Sequence, residues 1–510
     1  MFSGSVSANI VESIDGCCVQ YMIPPHLMFG ALFKASVPKF KTRLGASKSS
    51  LLDFWRMFLS TPDGIAYHVL HPGLRGKTPE DLNTTIPFYS HNDAGPCSRA
   101  ESAYILNVSS FFASGSELET HFLVATWISG HSDLPEGPLW SKLKASFDAL
   151  SRGEYLGADG GGATLLAQEA DGTTWKGLWL THLCDAEYSC NELGFQGASH
   201  NLICSWCPAG RSLASCPWTA LGSSAAWRSR RFNNRQFLAR LRRGHGLLEW
   251  PEFNMYSVRL DVLHVLDYRG VAGKVYGSTL WAILKNPASF ARVFPDHAGS
   301  REDRLAALNS DLRSWMRQKC VTHRLPKITM RLLFSSESPS GFPDFTGPAV
   351  KAANTRACVG WLASLATRFD DGSLEASHRR TVCVSLVSWY LVIYSAGVVL
   401  NEDQYREQYR LVQRCLRSYT WLAFDSATSG RQEWHLVPKF HWWAEMAHQA
   451  RFLNPRHQQT YAGESMVGRI CNIYKRSMSG PYRNTVQRSV LRKYALGFVI
   501  DVCGLAGIKH

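Results

Sequence analysis

Residues Gly177–Cys207 read GLWLTHLCDAEYSCNELGFQGASHNLICSWC and bring a strand, a strand-end carboxylate and a Cys-x-x-Cys pair into one short stretch. Trp175–Cys184 is apolar and aromatic with polar residues interleaved, which predicts a buried strand with Asp185 following as its last residue. A helix is expected next, carrying Tyr188 and Leu193 among Glu187 and Glu192 and stopping at Gly194. A polar turn then leads to Cys204-Ser-Trp-Cys207, half of a zinc-type ligand set. A carboxylate at a strand end is where a metal-dependent active site can use one.

Upstream, Thr84–Asp93 (TTIPFYSHND) is rich in β-branched and aromatic residues, and predicts a strand ending on Asp93 before an Ala-Gly-Pro turn. Tyr104–Phe112 and His121–Ile128 predict two more strands. Leu139–Leu150 predicts a helix with Leu139, Leu143, Phe147 and Leu150 on one face. The order is three strands, a helix and a fourth strand, with aspartates closing the first and the fourth. By themselves such aspartates are most often turn residues.

The chain of 510 residues is long enough for more than one substructure, and its 55 Lys and Arg against 41 Asp and Glu give a net charge of +14. That excess favours phosphate-bearing partners, nucleic acid ahead of an anionic membrane surface. Fourteen cysteines, mostly scattered through apolar segments, do not make a disulfide framework and suggest a reducing interior. The start, MFSGSVSANIVESID, shows no secretory signal. Thr381–Leu400 lacks charge over twenty residues, but its hydroxyl groups and tyrosines suit a buried helix better than a membrane span. Residues 1–80 suggest no function.

From Cys207 to about Trp434 long amphipathic helices are expected: Lys274–Leu284, Arg304–Lys319, Ala349–Phe369, Arg379–Leu400 and Asp403–Phe424. Arg228–Arg243 holds seven arginines (Arg228, Arg230, Arg231, Arg235, Arg240, Arg242 and Arg243), a face suited either to phosphate contact or to plain solvation. Asp261 and His264 stand at helical spacing, a pattern that more often marks a hydrogen-bonded structural pair than a site. After Trp434 a helix carries His441, Glu445 and His448 on one face, where they could meet a metal. Glu464 lies in the first turn of a further helix with an apolar stripe of Met466, Val467, Ile470, Ile473 and Tyr474.

Five islands, IPFYSHNDAGP, HLCDAEYSCNELGF with CSWC, DVLHVLDYRGVAG, WHLVPKFHWWAE and YAGESMVG, together resemble eukaryotic DDE transposases of the cut-and-paste type, the CACTA and KDZ groups and their derived relatives. The resemblance runs in separate pieces from about Ile86 to Phe498. It implies an α/β fold: an RNase H-like mixed sheet, its first and fourth strands adjacent, interrupted by a large α-helical insertion and stabilised by zinc. The implied parts are an N-terminal region (1–80), the first part of the RNase H-like domain (81–207), the helical insertion (208–433) and the last part with the final glutamate and a basic tail (434–510). Asp93, Asp185 and Glu464 would then be the catalytic triad, holding Mg2+ or Mn2+. Cys204 and Cys207 with His441 and His448 would hold a structural Zn2+, with Asp261 and His264 as an accessory motif. The implied activity is cutting and joining of DNA phosphodiesters by a two-metal mechanism, in a nuclear protein without membrane association that acts on element ends and target DNA as a homo-oligomer. The islands depart from the family at Asn92, Arg269, Gly463 and Ser465. These departures admit a second reading, a catalytically inactive, transposase-derived, zinc-containing nucleic-acid-binding protein.

Overall fold

The β-branched and aromatic runs of the chain pair into one mixed sheet, with helices on both of its faces. The computed structural model describes residues 11–15, 18–99, 101–128, 136–156, 163–241, 244–336, 338–339, 341–345, 347, 349–478 and 486–502. The chain divides into two units. Unit 1 is Met1–Phe195, Asn233–Arg259 and His457–His510; unit 2 is Gln196–Phe232 and Leu260–Arg456. The boundaries expected from sequence were at 207/208 and 433/434. In the structure the Cys-x-x-Cys segment belongs to the helical unit and 233–259 to the sheet unit.

Unit 1 contains β1 (Val11–Asp15), β2 (Cys18–Met22), β3 (Thr85–Pro96), β4 (Ser102–Ser110), β5 (Phe122–Ile128), a short hairpin of β6 (Glu154–Leu156) and β7 (Ala163–Leu165), and β8 (Lys176–Cys184). The first two residues of β9 (Val258–Leu260) also belong to it. The large sheet runs β1-β2-β5-β4-β3-β8-β9. β3, β4 and β5 form an antiparallel meander, and β8 lies parallel to β3. The first and fourth strands of the series predicted from sequence are therefore neighbours, with Asn92 opposite Cys184.

The expected turn after Asp93 is not formed. β3 continues to Pro96, because Ala94, Gly95 and Pro96 pair with Tyr104, Ala103 and Ser102 of β4, and proline is tolerated where the strand ends. Gly95 instead permits close packing: a Cβ there would lie 2.7 Å from Cys471 Sγ and 2.8 Å from Val467 Cγ1 of the helix Tyr461–Ser477.

Alternation along β3 assigns the two faces. Ser90 accepts from Trp179 Nε1 at 2.9 Å and lies 2.8 Å from His182 Nδ1, on the face covered by the helix Glu136–Arg152, whose Trp140 stacks edge-on against His182. His91 faces the other side, against Gly463 of the helix Tyr461–Ser477. Thr126 Oγ1 donates to Tyr474 Oη at 3.0 Å, and Tyr494 Oη of the helix Val486–Val502 donates to the His121 carbonyl at 3.2 Å. The N-terminal region, which had no role on sequence grounds, is part of this unit. Its helices Lys48–Ser60 and Pro62–Leu70 pin the sheet through Trp55 Nε1 to the Thr85 carbonyl (2.9 Å) and Tyr67 Oη to the Leu180 carbonyl (2.7 Å).

Unit 2 is helical around buried Trp361, Trp389 and Trp443. The charge-free Thr381–Leu400 stretch lies mainly in the helix Leu374–Ser395, with Val382, Leu386, Trp389 and Ile393 buried; among the described residues no helix is long and apolar enough to cross a membrane. The helix stops at Ser395, where Asn454 Nδ2 donates to the Ile393 and Gly397 carbonyls at 2.8 Å each. Glu402–Thr428 begins with an Asn401 capping box to Gln404. Gln408, fully buried on it, is satisfied by Trp389 Nε1 (3.1 Å) and the Ala447 carbonyl (2.8 Å). The single helix expected over Ala349–Phe369 is two, Ala352–Ala357 and Val359–Arg368, joined at Cys358.

Candidate functional site

In unit 1, His91, Asp93 and Gly95 alternate onto one face of β3, so the helix Tyr461–Ser477 meets all three. Gly463 lies directly against the imidazole: a Cβ there would come within 2.5 Å of His91 Nδ1 and 2.6 Å of Cε1. A glycine at 463, a departure in the sequence comparison, is thus what allows the helix to approach. It carries the next residue, Glu464, to the strand. Ligand atoms of His91, Asp93 and Glu464 all lie within 4.8 Å of one another. His91 is buried and Asn107 Nδ2 stands 3.1 Å from its Nδ1, while Asp93 and Glu464 are half-buried. Asn92, between the two, points to the opposite face and is fully buried, with no hydrogen-bond partner for either amide atom among the described residues.

Asp185 does not join that group. It follows β8 in extended backbone (φ −73, ψ 172), but it is the N-cap of the helix Ala186–Asn191, and its Oδ1 accepts from Tyr188 N at 2.6 Å. Tyr188 is in turn fixed by ring contacts with His182 and Tyr104. The helix ends at Asn191 with Glu192 as its C-cap, short of the expected stop at Gly194, which lies beyond it in the left-handed region at φ 72. Asp93 and Glu464 are brought together, then, with His91 as third member. The His-x-Asp spacing on a predicted strand was the available signal, since alternate residues share a face.

Two carboxylates and an imidazole at this separation suit a divalent cation. An imidazole among oxygen donors favours Mn2+ or another transition ion over Mg2+, which takes oxygen almost exclusively.

In unit 2, Cys204, Cys207 and His441 bring their ligand atoms within 4.8 Å of one another, all buried, with Cys207 Sγ 3.4 Å from His441 Nε2. Zinc–sulfur and zinc–nitrogen bonds of about 2.3 and 2.0 Å at a tetrahedral angle place those two atoms about 3.5 Å apart, so the donor set fits Zn2+. Burial raises both thiols. Hydrogen bonds with Cys207 and His441 outweigh it at Cys204 and bring that thiol down to about 6, while Cys207, beside it, is pushed up.

Glu445 and His448 are not in this group. Burial would raise the Glu445 carboxyl, but the Arg231 guanidinium hydrogen-bonded to Oε2 holds it at about 2, helped by His448 and by Gln449 Nε2 at 2.7 Å. Burial and the positive charge of Arg231 push His448 down to about 4, so it is neutral at physiological pH.

The arginine-rich stretch is not one helix. It forms Ala226–Ser229 and Asn234–Leu238, split between the two units. Arg228 donates to the Gly222 carbonyl (3.0 Å) and to Tyr409 Oη (2.9 Å) and lies over the Trp227 ring; Arg231 is the partner of Glu445; Arg230 reaches Cys216 Sγ at 3.6 Å. Arg235 and Arg240 are exposed, and Arg242 and Arg243 lie outside the described residues. At least Arg228 and Arg231 therefore serve the protein's own packing.

Asp261 and His264 do not share an α-helical face. Asp261 is buried before the π-helical turn Leu263–Asp267, its Oδ1 accepting from Leu263 N (2.8 Å) and its Oδ2 2.6 Å from His264 Nδ1. Arg269, another departure, closes this turn in the left-handed region (φ 48) with its carbonyl accepting from Lys439 Nζ at 3.1 Å.

No protein-family model matches the sequence, and no curated protein matches it.

Proposed function

We propose that this protein is transposase-like, with an RNase H-like sheet that presents Asp93 and Glu464 to a divalent cation at a nucleic-acid phosphodiester. The observation that carries the reading is the meeting of Asp93 with Glu464, from distant parts of the chain, beside a parallel β3–β8 pair that carries Asp185 at its end.

In this reading Asp93 and Glu464 hold the cation, and His91, fixed by Asn107, adds a nitrogen donor on the buried side. A bound divalent ion would supply Lewis-acid activation of a water or a 3'-hydroxyl and charge stabilisation at the leaving oxygen. Asp185 stands in extended backbone directly after Cys184, the residue opposite Asn92. Cys204, Cys207 and His441 hold Zn2+ structurally, tying the Cys-x-x-Cys segment to the helix Pro438–Gln449.

The test is nicking of supercoiled plasmid by the purified full chain in Mn2+ or Mg2+, beside Asp93→Asn and Glu464→Gln, with Mn2+ binding measured on the same samples. Cleavage lost in both variants supports the reading. Cleavage that persists in both refutes the assignment.

One observation favours the second reading, an inactive nucleic-acid-binding descendant: Asp185 spends one carboxylate oxygen on the Tyr188 amide. Mn2+ binding without cleavage in the native protein would select it.

A further inference from the structure

The second half of the helix Arg301–Gln318 and the segment after it are basic without compensation. From Leu312 to Ser336 the chain has Arg313, Arg317, Lys319, Arg324, Lys327 and Arg331, with His323, and no Asp or Glu. The nearest acid on the helix, Asp311, is occupied elsewhere, accepting from Trp361 Nε1 (2.8 Å) and Arg368 Nη1 (3.0 Å). Arg313, Arg317, Arg324 and Lys327 line one cleft of about 520 Å3, with buried Met316 and Leu325 beneath them. All four cations are exposed, and among the described residues none of them forms an ion pair; Arg317 donates to Ser314 Oγ at 3.4 Å. Elsewhere on unit 2 some exposed arginines are neutralised, as Arg406 is by Glu402 and Arg410 by Glu407.

We propose that this cleft seats the sugar–phosphate backbone of a nucleic acid. Four solvated cations spread along a concave surface match a line of phosphates, each contact releasing a counterion, whereas a single small anion is held by converging, buried donors. An arginine in the last helical turn also complements the helix dipole, which accounts for Arg317 but not for Arg324 or Lys327 beyond the helix. A bilayer surface fits less well, because among the described residues of 301–336 no large apolar side chain is exposed to enter it. The contact does not depend on catalysis at Asp93 and Glu464, and it would supply the phosphate contacts expected from the arginines of 228–243.

The experiment measures binding of the full chain to a fluorescent random-sequence DNA duplex across a salt series. It compares the native protein, Arg313→Gln/Arg317→Gln, Arg324→Gln/Lys327→Gln and the control Arg406→Gln/Arg410→Gln, all checked for unchanged thermal unfolding. Each phosphate contact contributes a slope of about −0.9 in log K against log salt, so losing two should flatten the slope by about 1.8 and weaken binding about 30-fold near 0.15 M salt. Both cleft variants should show this and the control should not. Binding equal to the control in both cleft variants overturns the proposal, as does absence of duplex binding by the native chain. Losses confined to phosphatidylserine vesicles, with DNA binding intact, overturn it in favour of a membrane surface. Plasmid nicking is read separately, so failure here and failure of the carboxylate assignment are distinguishable.

Discussion

Arg231→Met removes the guanidinium bonded to Glu445, a carboxylate with no exposed surface. Held at about 2 against an ordinary 4.5, that carboxyl contributes about 3 kcal/mol to stability at neutral pH. Removing one partner of a buried pair costs about 3–5 kcal/mol, because the remaining charge stays buried. The pH dependence should also change sign. In the native protein the depressed carboxyl gives stability that is present above its unfolded value and lost as pH falls toward about 2. In Arg231→Met burial prevails, the carboxyl rises above its ordinary value, and stability is regained as pH falls from neutrality toward it. Urea unfolding followed by tryptophan fluorescence at about pH 7 and about pH 5 reads both effects. Adding Glu445→Gln should recover much of the loss, since a neutral amide is cheaper to bury. A loss under about 1 kcal/mol, with no reversal of the pH trend and with weakened DNA binding, would show Arg231 to be a phosphate contact and refute the ion-pair account.

Three further outcomes follow from the geometry. Gly463→Ala forces a methyl group against His91 and should cost about 1–3 kcal/mol while lowering Mn2+ affinity; a gain in stability with unchanged affinity, as helix propensity alone predicts, would contradict the packing. Asp185→Asn keeps the helix cap and removes only the charge, whereas Asp185→Ala also loses the bond to Tyr188 N and should be less stable by about 1 kcal/mol; equal unfolding midpoints would deny the capping role. Cys207→Ser should abolish stoichiometric zinc and lower the unfolding temperature, and a chelator should do the same to the native protein; full zinc retention in the variant would remove Cys207 from the ligand set.

Much of the site was legible locally. The strands at Thr85, Ser102, Phe122 and Lys176 announce themselves because β-branched and aromatic alternation is a property of neighbouring residues. The Cys-x-x-Cys spacing is likewise local. The sequence placed Asp93 and Asp185 near strand ends, Glu464 in a first helical turn and His441 on an aromatic helix.

What it could not determine were the choices made by distant partners. β3 runs through Ala94-Gly95-Pro96 because β4 offers hydrogen bonds there, which overrides turn propensity. Asp185 caps a helix while His91 joins Asp93 and Glu464, because strand alternation and the approach of a helix at Gly463 decide which side chains converge. Seven arginines within Arg228–Arg243 read as one basic face; burial of Glu445 draws Arg231 inward, and Trp227 with Tyr409 holds Arg228. Residue type and spacing fix the elements and the available chemistry. Which charges stay in water and which are spent on one another is decided by tertiary packing, because desolvation and pairing depend on neighbours far away in the chain.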